Sequence, residues 1–167
     1  PFGGALVGTG NGLSWLPEDG GEARSLRTGP RVSALVAADP GVTLVYAIAG
    51  DQVWRLRRSG AEYVVDEAVL RFLPMHDARL HQGRLWASTD GGGAVAFSDL
   101  ARWPEVSSRR YGEAEGLHRS RLIFSEVLGG LLLLGSSNHA VSPTGDLIAA
   151  EALRGLPQLQ DVTSDLQ

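Results

Sequence analysis

The sequence predicts an all-β fold, and two observations lead to this prediction. Glycine is abundant, with 22 residues in a chain of 167, and the glycines separate short runs rich in valine, leucine, isoleucine and aromatic residues. Such runs, bounded by turn residues, are typical of strands. No stretch carries the pattern of a three-turn helix, since the most helix-like segment, 149–153, is soon followed by Gly155 and Pro157.

A repeat of about 40 residues runs through the chain, and three independent sets of equivalent positions support it. The first set closes an apolar run and consists of Thr9, Ile48, Thr89 and Ser136. The second set lies in the strand that follows and consists of Leu13, Val53, Val95 and Val141. The third set consists of carboxylates that we expect to accept hydrogen bonds from turn amides: Asp39, Asp77, Glu126 and Asp165.

A unit of about 40 residues with four short strands is the blade of a β-propeller. One small sheet cannot bury both of its faces alone, so such blades stack face to face around an axis. We therefore predict a single propeller domain of about four blades over residues 1–167. The approximate repeats are 5–43, 44–83, 84–130 and 131–167. In the third unit we expect strands near 73–77, 85–89, 94–98 and 105–111.

Two interpretations of the ring remain open at this point. The chain begins with the second strand of a unit, and residues 159–165 have the pattern of a first strand. In a small closed propeller of four blades, residues 159–165 would pair with residues 5–9 and remove two exposed sheet edges. In the other interpretation the four units are part of a larger ring, because the sequence opens on Pro1 without an initiator methionine or a signal peptide.

Two repeat families resemble this pattern. Residues 111–117 (YGEAEGL), followed by Glu126 and by residues 130–136 (GLLLLGS), resemble the repeat of two-component regulator propellers, and residues 85–92 (LWASTDGG) match its Leu-Trp end. Residues 32–55 resemble the bacterial neuraminidase repeats of secreted propellers. Both resemblances imply a propeller. The first implies the sensing part of a signalling protein, and the second implies a secreted carbohydrate-active protein.

Composition excludes several classes of function. The formal net charge is −4 and the isoelectric point is about 5.5, so the basic surface of a general nucleic-acid binder is missing. No apolar run approaches the roughly 18 residues of a membrane helix. The sequence contains neither cysteine nor lysine, which excludes thiolate nucleophiles, disulfides and Schiff-base chemistry. We therefore expect no nucleic-acid partner and no membrane contact within this segment.

Patterns of catalysis and metal binding are weak. The four histidines, His76, His81, His118 and His139, show no metal-ligand spacing, so we predict no metal and no cofactor. Residues 8–12 (GTGNG) predict a hairpin turn, because no helix follows as in a phosphate-binding loop. Trp54 and Trp86 lie in apolar strand patterns, which favours packing between blades over stacking on sugars. We expect no enzyme.

Candidate ligand-binding residues precede the innermost strands, where they would surround one mouth of the central channel. They are Arg31, Arg71, His118, Arg119, Arg121 and Gln158. Converging guanidinium groups suit a carboxylate, a phosphate or an acidic sugar, although solvated loop arginines are the alternative.

The predicted function is that of a non-catalytic propeller that binds a small anionic or carbohydrate ligand or a protein partner. As the first resemblance implies, it would be the sensing part of a two-component signalling protein, with a periplasmic or extracellular location favoured. The alternatives are a secreted carbohydrate-active propeller and a protein-interaction scaffold. Assembly into a homo-oligomer is left open.

Overall fold

A computed structural model describes residues 3–115, Leu117, and the strand residues 125–128, 131–134, 139–141 and 147–149. Within these ranges the protein consists of strands, turns and two single-turn 3-10 helices, Leu100–Arg102 and Glu113–Glu115. The all-β prediction is confirmed for this part of the chain. No helix in it is long and apolar enough to cross a membrane.

Four antiparallel sheets follow one another in the described chain, and within each sheet the strands pair in sequence order. Sheet 1 consists of β1 (Gly4–Thr9), β2 (Gly12–Pro17) and β3 (Arg24–Thr28). Sheet 2 consists of β4 (Val32–Ala37), β5 (Leu44–Ala49), β6 (Gln52–Ser59) and β7 (Glu62–Arg71). Sheet 3 consists of β8 (Met75–His81), β9 (Arg84–Thr89), β10 (Ala94–Ser98) and β11 (Ser107–Tyr111). Sheet 4 consists of β12 (Ser125–Leu128), β13 (Leu131–Leu134), β14 (His139–Val141) and β15 (Leu147–Ala149).

Sheet 3 corresponds to the third predicted unit, so its strands can be compared with the four that were predicted there. The predicted strands 85–89, 94–98 and 105–111 are confirmed by β9, β10 and β11 to within two residues at each end. β8 lies further along the chain than the predicted segment 73–77, because it begins at Met75 and continues to His81. Pro74 has no amide hydrogen to donate to a neighbouring strand, so pairing starts only after it.

The first set of repeat positions lies at or next to the ends of β1, β5 and β9. Thr9 and Thr89 end β1 and β9, and their hydroxyls donate to the carbonyls of Gly12 and Gly92, at 3.1 and 2.9 Å. In sheet 2 the last residue of the second strand is Ala49. The predicted equivalent, Ile48, is therefore one residue early, although the period of about 40 residues holds.

The second set shows a similar displacement. Leu13 and Val53 each pair with the residue before the last one of the preceding strand. In sheet 3 the residue that pairs in this way is Ala94, opposite Ser88. The predicted equivalent, Val95, therefore lies one residue too far along the chain. The β9–β10 turn is longer than its counterparts in sheets 1 and 2, which accounts for the offset.

The carboxylate set does not have one common role. Asp39 lies in the β4–β5 turn, where it accepts a hydrogen bond from the amide of Thr43 at 3.1 Å, and this bond holds the pKa of Asp39 below its ordinary 3.8. The turn role is confirmed for Asp39. It is wrong for Asp77, which lies inside β8 and accepts a hydrogen bond from the amide of Ala78 at 2.9 Å. The Glu126 side chain and all of Asp165 lie outside the described residues.

Successive sheets stack face to face, with apolar side chains between them. The layer between sheets 1 and 2 includes Leu13, Trp15, Val45, Ala47, Ala49 and Trp54. The layer between sheets 2 and 3 includes Tyr46, Ile48, Val53, Met75, Leu85 and Phe97. The layer that joins sheet 3 to sheet 4 includes Trp86, Tyr111, Leu117 and Leu132. Neighbouring residues of β5 alternate between the first two layers, because side chains along a strand point to opposite faces.

The tryptophans belong to these layers. Trp54 and Trp86 are 0% and 1% exposed, so the prediction that they pack between sheets is confirmed. Trp15 and Trp103 are buried as well. None of the four rings is therefore open for stacking on a sugar.

First strands of neighbouring sheets lie next to one another. β4 contacts β8, and β8 contacts β12. β1 of sheet 1 also contacts β4 of sheet 2. In the same way the second strands of sheets 2 and 3 contact the first strand of the next sheet, in the pairs β5 with β8 and β9 with β12. The same relation between one sheet and the next is thus repeated along the described chain.

Candidate functional site

One edge of the sheets brings loops from neighbouring sheets together. The carbonyl of Gly50, in the β5–β6 turn, accepts a hydrogen bond from the amide of Met75 at 2.8 Å. The carbonyl of Pro74 accepts one from the amide of Asp90, in the β9–β10 turn, at 2.9 Å. A Cβ on Gly50 would lie 3.1 Å from Pro30, in the loop before β4. These four loops form a continuous surface.

Five polar side chains stand on this surface, and we call them the rim: Arg31, Asp51, Arg71, His76 and Asp90. Two of them, Arg31 and Arg71, are among the ligand-binding residues predicted from the sequence. The structure brings both to the same edge because each precedes the first strand of a sheet, with Arg31 before β4 and Arg71 before β8. Arg31 is exposed, and no side chain in the described residues forms an ion pair with it.

Arg71 is engaged within its own sheet. Its Nη1 atom lies 3.1 Å from Oδ2 of Asp51, and the two side chains are 66% and 39% exposed. An ion pair with this much solvent contributes at most about 1 kcal/mol to stability. A bound carboxylate or phosphate can therefore replace Asp51 as the partner of the guanidinium at small cost.

His76 and Asp90 form a second polar pair on the rim. Nε2 of His76 contacts Oδ1 of Asp90, and both side chains are about half exposed. His76 lies in an irregular stretch of β8, where the pairing with β9 shifts between Met75 and Ala78. His76 was not among the binding residues predicted from the sequence. No local signal connects it to Asp90, because the two residues meet only when β8 pairs with β9.

A shallow cleft of about 280 Å³ lies beside this pair, at the same edge of sheet 3. Its lining consists of Gly91, Gly92, Arg110, Gly112, Glu113 and Leu117. Arg110 contributes a guanidinium from the exposed strand β11, and the glycines leave the backbone of the two loops accessible. The sequence signal for the cleft is the glycine run 91–93, which directly precedes β10.

This arrangement is suited to binding through hydrogen bonds and charge. Guanidinium groups hold carboxylates and phosphates with two parallel hydrogen bonds, and an imidazole beside a carboxylate offers a donor and acceptors for sugar hydroxyls. In the described part of the chain, no three histidine or acidic side chains are grouped as ligands for a metal ion. The other predicted binding residues, His118, Arg119, Arg121 and Gln158, lie outside the described residues.

Comparison with known proteins adds no family to this description. No protein-family model matches the chain, and no curated protein matches it either.

Proposed function

We propose that this chain forms a β-propeller that binds a small anionic or carbohydrate ligand at the rim, without catalysing a reaction. In this proposal the four repeats are blades, and the rim surrounds one mouth of their central channel. As the resemblance to two-component regulator propellers implies, the domain would be the sensing part of a signalling protein and would act outside the cytoplasm.

The stacking of the sheets supports the propeller. Sheets 2 and 3 are small antiparallel sheets that bury both faces against their neighbours, and their first strands lie side by side. A repeated relation between successive small sheets is the packing that a propeller needs.

The gathering of cationic side chains from three separate parts of the chain at one edge is the observation that carries the binding proposal: Arg31 lies in the loop before β4, Arg71 at the end of β7 and Arg110 in β11. Arg31 is free of acidic partners in the described residues, Arg71 has only an exposed one, and Arg110 lines the cleft nearby. Loops that converge on one end of a rigid sheet scaffold are a common place for ligand binding. Guanidinium groups in such a place select for carboxylates and phosphates.

Binding can be tested on the intact chain with four probes: D-glucuronate, citrate, inorganic phosphate and D-glucose. We expect at least one of them to raise the unfolding temperature and to give a measurable Kd by calorimetry. For that probe, the double variant Arg31→Ala/Arg71→Ala and the single variant Arg110→Ala should each weaken binding at least about 10-fold, which corresponds to about 1.4 kcal/mol.

Arg24→Ala is the matched control, because Arg24 is an exposed arginine at the end of sheet 1 opposite the rim, and among the described residues it forms an ion pair only with the exposed Glu62. It should leave Kd unchanged. The proposed site would be overturned if none of the probes binds, or if Arg31→Ala/Arg71→Ala and Arg110→Ala bind with the same Kd as the control. Hydrolysis of a 4-nitrophenyl glycoside that disappears in the rim variants would replace the proposal with the carbohydrate-active alternative.

A further inference from the structure

We propose that the cleft in sheet 3 binds a small zwitterion, a molecule that carries a carboxylate and an ammonium group close together, as an α-amino acid does. The inference rests on the proposed binding role of this edge of the sheets. It adds to the proposed function the requirement that the ligand of the cleft carries one charge of each sign.

Two side chains of opposite charge line the cleft. Arg110 contributes a guanidinium from β11, and Glu113 contributes a carboxylate from the first residue of the 3-10 helix that follows. Both residues are exposed, so their charged groups are accessible to a ligand. Among the described residues they are the only charged ones in the lining.

Opposite charges in one small cleft select against a ligand with a single charge. An anion that binds the guanidinium of Arg110 is repelled by the carboxylate of Glu113, which would lose hydration without gaining a partner. A zwitterion gains both attractions, because its carboxylate accepts from Arg110 and its ammonium group donates to Glu113. A carboxylate has about four acceptor positions, so Glu113 can accept from an ammonium group alongside its contacts within the chain.

The size of the cleft and its exposed backbone fit a small molecule. Its volume of about 280 Å³ lies at the lower end of ligand sites, which measure about 300 to 1,000 Å³. A Cβ on Gly91 or Gly112 would meet nothing within 4 Å, so the backbone at both positions is open to a ligand. Leu117 is only 1% exposed, so it offers little apolar surface for a large side chain. An amino acid with a short side chain, such as L-alanine, suits these features.

Hydrogen bonds hold both walls of the cleft in place. On one side, the hydroxyl of Thr89 donates to the carbonyl of Gly92 at 2.9 Å. On the other side, the amide of Gly112 donates to Oε2 of Glu115 at 2.7 Å, and the amide of Glu115 donates to the carbonyl of Gly112 at 3.0 Å. These bonds fold the segment that carries Glu113 into a tight turn at the end of β11. Walls that are fixed before binding reduce the entropy lost when a ligand binds.

Three probes that differ by one charged group test the proposal on the intact chain. They are L-alanine, propanoate, which lacks the ammonium group, and ethylamine, which lacks the carboxylate. We expect the Kd of L-alanine, measured by calorimetry at pH 7, to be at least about 10-fold lower than the Kd of either analogue. Absence of L-alanine binding, or equal Kd values for L-alanine and propanoate, would overturn the proposal.

Two variants assign the charges of the ligand to their partners. Glu113→Gln should weaken the binding of L-alanine at least about 10-fold without weakening that of propanoate, whereas Arg110→Gln should weaken both. Glu105→Gln and Arg102→Gln are the matched controls, because both residues are exposed and precede β11, at the strand end away from the cleft. Neither control should change a Kd. Equal effects of Glu113→Gln and Glu105→Gln would contradict the role of Glu113.

The results separate this inference from the proposed function. If citrate, phosphate or D-glucuronate binds through Arg110 and L-alanine binds no more tightly than propanoate, the inference fails and the proposed function stands. If L-alanine binding depends on Arg110 and Glu113 but none of the four earlier probes binds, the inference stands and an amino acid replaces the anionic or carbohydrate ligand. If no probe of either set binds, both are overturned.

Discussion

His81 shows how one buried residue couples the stability of this protein to pH. The side chain is 8% exposed at the end of β8, and in the described residues its Nε2 atom has no hydrogen-bond partner. Burial lowers the pKa of His81 below its ordinary 6.5, because the imidazolium would lose its hydration. The folded protein therefore holds the neutral ring.

This pKa shift predicts a loss of stability in mild acid. The unfolded chain binds a proton at His81 near pH 6.5 and the folded chain does so only at lower pH, so the free energy of unfolding falls as pH drops below 6.5. The His81→Phe variant should lose less stability than the wild type between pH 7.5 and 5.5, by up to about 1.4 kcal/mol per pH unit. Urea denaturation at several pH values measures this difference.

His76→Gln is the control, because His76 is about half exposed on the same strand. It should keep the wild-type loss of stability at low pH. A His81→Phe variant whose stability falls as steeply as that of the wild type would show that His81 is not the responsible group.

At the scale of single elements, the turns depend on glycines in conformations that other residues avoid. Gly93 directly precedes β10 and has a φ of 85°. A Cβ on this residue would lie 2.2 Å from the carbonyl oxygen of Tyr111 on β11. Gly12 is in the same situation at the start of β2, where a Cβ would lie 2.1 Å from the carbonyl oxygen of Arg27. β10 can pair closely with β11, and β2 with β3, at these points only because neither glycine has a side chain.

We expect Gly93→Ala to lower the free energy of unfolding by about 2 kcal/mol or more, because the variant suffers both an unfavourable φ and a clash with backbone. Gly91→Ala, two residues away in the same turn, should change it by less than about 0.5 kcal/mol, since a Cβ there meets nothing within 4 Å. Chemical denaturation of both variants gives the comparison. Similar values for the two would contradict the close approach at Gly93.

Individual elements were also the scale at which the sequence was most informative. β9 and β10 were predicted to within a residue because short apolar runs bounded by glycine turns are local signals. Asp77 was misassigned because a regular spacing along the sequence does not specify where a ladder shifts. The irregular stretch at the start of β8 arises from pairing with β9, which local sequence does not encode.

At the scale of the whole molecule, charged side chains connect three sheets. Asp66 of β7 has a side chain only 7% exposed, and it accepts hydrogen bonds from Nε of Arg55 at 2.5 Å and of Arg57 at 2.9 Å. Arg55 also lies over the ring of Trp103, in the connection between β10 and β11 of sheet 3. Arg27 of sheet 1 donates to the carbonyl of Asp66 at 2.9 Å. Burial raises the pKa of Asp66, but the two arginines outweigh this effect and hold it below the ordinary 3.8.

Asp66→Asn should therefore destabilise the protein by about 3 kcal/mol, because it leaves the mostly buried Arg55 without a charged partner. Glu62→Gln is the matched control on the same strand, since it breaks the exposed pair with Arg24 and should cost at most about 1 kcal/mol. Thermal and urea unfolding at pH 7 measure both. Equal effects would mean that the Asp66 cluster contributes no more than a surface ion pair.

The candidate site was predictable only in part, because it is assembled from residues of different sheets. Arg31 and Arg71 were found because both precede a first strand, a relation visible in the repeat. The contact of His76 with Asp90 and the cleft beside Arg110 were not found. These features depend on which turns and strand ends become neighbours when strands pair. The sequence pattern does not show which residues, far apart along the chain, will come into contact.

The sequence by itself determined that this protein is all-β, that its strands are short, and that they recur in units of about 40 residues. Those properties follow from strand propensity, turn residues and side-chain alternation, which act over a few neighbouring residues. Only the tertiary structure decided the pairing register, the layers between sheets and the composition of the rim. Ladder hydrogen bonds and face-to-face packing join residues distant in sequence, so their geometry is settled only when the sheets assemble.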